Sequence, residues 1–281
     1  MEDIRHYAKI IQLYYVGFGH LFYDSHYFIK PKNGKTKGLI EVIRFVDDEN
    51  QFNDRIIALE DQFRDKNVEF FQKTQVLKLW GAANHGRTTS FSSVLEKLQP
   101  EKLIQHNKGT SIGENEDSFF YLYISIPNIL YGQNQLELME ELFQKLSSIS
   151  EQLSSEMVVQ LGLQAKKHYQ GQEDFGKSFY QSILEGDYET LTYSKNMISV
   201  YKSVCSSLLA KIAQEENDIE GLKAQMETVN HFNTLGVGQR FLNHLSFQMP
   251  KEEVKEESSE ETMNETMVME QLTDPQDENK K

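Results

Sequence analysis

Residues 188–230 read YETLTYSKNMISVYKSVCSSLLAKIAQEENDIEGLKAQMETVN, and one periodicity runs through them. Leu191, Ile198, Cys205, Ile212, Ile219 and Met226 recur every seven residues. Tyr201, Leu208, Leu222 and Val229 follow three residues after Ile198, Cys205, Ile219 and Met226. Steps of three and four keep apolar side chains on one stripe, so the spacing predicts a coiled-coil-like helix of about 64 Å at ~1.5 Å per residue. Glu215 falls on that stripe, where a carboxylate is costly unless paired or solvated. Met197, Val204 and Leu209 widen the apolar face in the first half, whereas Glu216, Asp218, Lys223 and Gln225 narrow it in the second. The first half is therefore expected within a bundle and the second in a two-helix contact. Such a stripe must be covered, by residues 136–165, by a second copy or by another protein.

Downstream, the chain loses its apolar period. Residues 250–281 carry eleven Asp and Glu against four Lys, a balance of −7 and half of the chain's −14. Few aromatics and strong net charge predict a disordered acidic tail over 248–281. Ser258 and Thr262 each have a glutamate three residues on, the pattern an acid-directed kinase prefers, and are the phosphorylation candidates. Met263, Met267, Val268 and Leu272 could form a short helix in a partner's groove.

Upstream, Leu136, Met139, Phe143, Leu146, Ile149, Leu153, Met157 and Leu161 predict another long amphipathic helix. A shorter helical piece is expected between Gly171 and Gly186. Residues 134–247 thus read as a helical bundle or coiled-coil region. Residues 1–131 read differently, as an aromatic-rich α+β lobe. Ile4, Tyr7, Ile11, Tyr14, Tyr15, Phe18 and Phe22 lie on one helical face. LIEVIRFV at 39–46 and FFYLYISI at 119–126 are short and rich in β-branched or aromatic residues, and are expected to be strands. Between them, Phe52, Ile56, Leu59, Phe63, Phe70, Leu77 and Trp80 predict one helix ended by Gly81. Ser93 and Glu96 have capping-box spacing, which starts a short helix there. The fold class is mainly α.

Composition narrows the function classes. The single cysteine excludes an intrachain disulfide and cysteine-rich metal sites. A net charge of −14 argues against nucleic acid and disfavours an anionic membrane surface. The uncharged runs at 10–23 and 118–136 are too short or too interrupted by polar residues to span a bilayer. The acidic N-terminus, Met1-Glu2-Asp3, lacks the basic start of a targeting segment, which points to a soluble cytoplasmic chain.

The candidate sites are modest. Lys30, Lys32, Lys35 and Lys37 form a basic loop that could hold a phosphoinositide or an acidic segment. Asn33-Gly34-Lys35-Thr36 within it ends like a phosphate loop, but Ile29 stands where that loop needs its first glycine. His85, Arg87, Thr88 and Ser90 combine an imidazole, a guanidinium and hydroxyls before an expected helix start, a candidate anion or ligand site. Asp24-Ser25-His26 are consecutive and cannot form a relay. No catalytic, cofactor or metal pattern emerges. The leading expectation is a non-enzymatic interaction subunit or adaptor. Its contacts would be Ile198, Tyr201, Cys205, Leu208, Ile212, Ile219, Leu222, Met226 and Val229. The alternatives are a peripheral membrane protein with BAR-like long helices and an enzyme or ligand-binding protein using His85–Ser90.

Overall fold

The computed structural model describes residues 39, 42–43, 45–105, 111–172, 176–186, 195–232 and 241–243. The N-terminal aromatic stripe, the lysine loop, Leu191 and the acidic tail with Ser258 and Thr262 lie outside them. Among the described residues the chain is mainly helical: ten α-helices and no strand, with one isolated backbone pairing of Gln105 with Ser111.

The predicted helix over 52–80 is two helices, α1 (Glu49–Phe63) and α2 (Val68–Asn84). Asp48 and Asn67 start them, each side chain accepting a backbone N–H at 3.0 Å from Gln51 and Phe70 respectively. The apolar period runs on through the turn, so spacing alone did not show the break. Gly81 does not end α2. It sits inside it, where a Cβ would collide with the Phe52 ring, so glycine there lets α1 and α2 close up. α3 (Thr88–Lys97) begins five residues before Ser93, which is consequently inside the helix and not a cap.

Both expected strands are corrected. Leu39, Val42 and Ile43 are helical and Phe45–Asp47 form a turn. The buried positions Leu39, Val42, Ile43 and Val46 follow helical steps and join the apolar core. FFYLYISI lies in the central helix of the molecule: α4 (Glu116–Phe120), a π turn (Tyr121–Ser125) and α5 (Ile126–Gly132). Within the π turn the Ile126 N–H reaches back five residues to the Tyr121 carbonyl. That widened turn carries the helix past Pro127, which has no N–H to donate. Phe119, Leu122, Tyr123, Ile126 and Leu130 are almost wholly buried. Only Phe120, Tyr121 and Ser125 of this run keep partial exposure, and two of those three are aromatic, so the helix shows no charged face and its sequence reads like a buried strand.

Other helices assemble around this axis. α6 (Leu136–Gln152) and α7 (Met157–Tyr169) replace the single helix expected over 136–161, and α8 (Lys177–Glu185) follows. The π turn packs on α2 and α7, α5 packs on α2 and α6, and α3 packs on α6. The Tyr121 ring lies 5.0 Å from that of Trp80 of α2 at a tilt of 48°, and Tyr123 lies edge-on to Phe143 of α6. The buried Tyr123 hydroxyl bonds Ser150 at 2.7 Å. One apolar cluster includes residues from Leu39 to Phe241.

Helix ends are set by a repeated device. Gly86, Asn134, Gly171 and Asn217 adopt positive φ directly after α2, α5, α7 and the helix that precedes Asn217. The N–H of the next residue then reaches back five positions, as from Gln135 to Leu130 at 2.8 Å, which satisfies a terminal carbonyl and reverses the chain.

Candidate functional site

The heptad stripe does not lie on one helix. α9 (Lys195–Glu215) and α10 (Ile219–Phe232) form an antiparallel hairpin in place of the single helix expected from Tyr188 to Asn230. The Ala213–Leu222 end is closed by the turn, and at the open end Lys202 lies 5.5 Å over the Phe232 ring. Asn217 takes φ 56°, and the Asp218 N–H bonds the Ala213 carbonyl at 2.9 Å. The Asp218 carboxylate then accepts the Gly221 N–H at 2.9 Å and starts α10. Asn217 and Asp218 therefore end one helix and begin the next with nothing between. The sequence signal for this turn was Asn followed by a capping Asp. The continuous apolar period masked it.

The stripe residues have two destinations. Tyr201, Cys205, Leu208 and Ile212 of α9 enter the main core, and Ile198 is half-buried. Leu222 and Val229 of α10, with Met226 beside them, form a separate small cluster with Ala210, Ala213 and Leu242. At roughly 100° per residue, Ala210 and Ser203 lie on the opposite side of α9 from Cys205 and Leu208. Ser203, Ser206, Ser207, Ala210 and Ala213 are all buried. The hydroxyls of Ser206 and Ser207 bond carbonyls four residues back, at 2.9 and 2.8 Å. This small-residue face seats α10, and sequence reasoning missed it because Ser and Ala carry little weight in an apolar pattern. Ile219, the first stripe residue after the turn, remains 49% exposed. Glu215 and Glu216 are on the surface, and Glu216 pairs with Lys177 of α8 at 2.7 Å.

The loop at 85–90 is tied down by structural bonds. The His85 Nε2 lies 2.6 Å from the Val46 carbonyl, to which it donates when protonated, and the ring stands edge-on to Phe52. Arg87 grips Glu49 with two bonds of 2.8 Å. Those bonds, aided by the charges of Arg87 and His85, hold the Glu49 carboxyl below its usual range. Thr88 and Ser90 are exposed in the first turn of α3. The guanidinium meets a carboxylate at the start of α1, so the structure brings His85 and Arg87 together around the entry to that helix.

Two buried polar groups were not foreseen. Glu60 of α1 is nearly buried and bonds Lys78 of α2 at 2.5 Å, with Arg64 at 3.5 Å. Burial raises its carboxyl, but Lys78 and Arg64 outweigh that and hold it below the ordinary value. Where α5, α7, α8 and α9 converge, Asn128, His168, Tyr169, Tyr180 and Cys205 are buried together in the core region. Tyr131 stacks on Tyr169 at 4.5 Å, and the Asn128 amide lies 3.5 Å from the Tyr169 hydroxyl and from the Phe241 carbonyl. Burial, with the nearby Lys211 charge, lowers the His168 imidazole to about 4. Burial also pushes the Cys205 thiol well above its usual range, so it is a packing group and not a nucleophile.

Among the described residues no cluster of three or more His, Cys, Asp or Glu could hold a metal, and no helix is long and apolar enough to cross a membrane. No protein-family model, curated protein or solved structure matches the chain.

Proposed function

We propose that the chain is a non-enzymatic cytoplasmic interaction subunit or adaptor, with the α9–α10 hairpin as its contact element and the acidic tail as an accessory one. The observation that carries this reading is the placement of α10. It rests chiefly on α9, through a cluster separate from the main core, and leaves Ile219 exposed at the head of its seam. The seam itself is buried on α9, and Ile219 beside the turn is the apolar side chain it leaves for a partner. The −7 balance of residues 250–281 suits a basic surface on a partner.

The test is affinity capture of the full chain beside Ile219→Lys and a chain ending at Met249, with quantitative mass spectrometry. Stoichiometric proteins that are lost with either change support the reading. A chain that comes down alone, or partners indifferent to both changes, would refute it.

A further inference from the structure

We draw no further inference here: the strongest candidate, the acidic cluster at the start of α4 where Glu116 accepts the Tyr201 hydroxyl at 2.6 Å beside Asp117 and Glu156, carries nothing because its one mark of chemistry is a carboxyl raised by burial, and no three of the described acids there could hold a metal.

Discussion

Gly162 of α7 lies so close to Tyr123 that a methyl group on its Cα would stand 2.5 Å from the Tyr123 carbonyl oxygen and 2.6 Å from its Cβ. Tyr123 belongs to the π turn at the centre of the core, and its carbonyl cannot swing aside as the tip of a long side chain would. The hydrogen in place of a side chain at Gly162 is what allows α7 to seat there.

Gly162→Ala should therefore lower stability by about 1–3 kcal/mol, the usual range for overpacking a filled core. Urea midpoints for the variant and the parent measure this directly. An unchanged midpoint would mean that the π turn can yield.

The buried ion pair between α1 and α2 gives a second expectation. Lys78→Met leaves Glu60 buried with Arg64 at 3.5 Å and the Gln75 side chain as its remaining partners, and breaking a buried pair from one side costs about 3–5 kcal/mol. Because Lys78 retains some contact with solvent, the lower end of that range is expected. Glu60→Gln combined with Lys78→Met should recover most of the loss, since no uncompensated charge remains. Chemical denaturation of the three variants decides it. A double variant as weak as Lys78→Met would show that packing, and not charge, governs the site.

His168 sets an acid limb. Its folded imidazole lies at about 4 against an ordinary 6.5, so the neutral ring is favoured in the fold. Such a depressed group stabilises above the unfolded pKa and loses that contribution as pH falls towards the folded value. Stability should decline between about pH 6.5 and 4 by up to about 3 kcal/mol from this residue. In His168→Gln the decline over that window should be shallower. Parallel curves for the two proteins would remove His168 as the cause.

Cys205 should stay unreactive towards a thiol reagent in the native protein and react at once in denaturant, since it is fully buried and its thiol is raised by that burial. Rapid native labelling would show that the α8–α9 contact opens.

The Arg87–Glu49 pair is exposed, so salt should erase its coupling. In a double-mutant cycle with Arg87→Ala and Glu49→Ala, the interaction seen at low ionic strength should vanish by about 1 M salt, where the Debye length is about 3 Å. A coupling that persists would point to a function for this loop beyond anchoring α1.

The helices themselves were legible in the sequence wherever one face stayed polar. The period of Leu136, Met139, Phe143 and Leu146 marks α6, and that of Phe52, Ile56 and Phe63 marks α1, because solvent enforces polar residues on the outer side. The run at 119–126 concealed its helix for the opposite reason: most of it is buried, and two of its three partly exposed residues, Phe120 and Tyr121, are aromatic, so it kept no clear polar phase. Of the candidate site, the stripe residues were legible and their partners were not. Ser203, Ala210 and Ala213 matter through being small, and smallness has no signature until another helix is laid against it.

By itself, then, the sequence determined a mainly helical chain, its apolar stripes and its acidic balance, because each follows from local composition and the 3.6-residue turn. The tertiary structure decided where those stripes break and what they face. A seven-residue period survives a three-residue reversal unchanged, so Ile212, Ile219 and Met226 keep their spacing on either side of Asn217. Only the packed chain shows Tyr201 and Leu208 turned into the main core while Leu222 and Val229 close on the other side of α9.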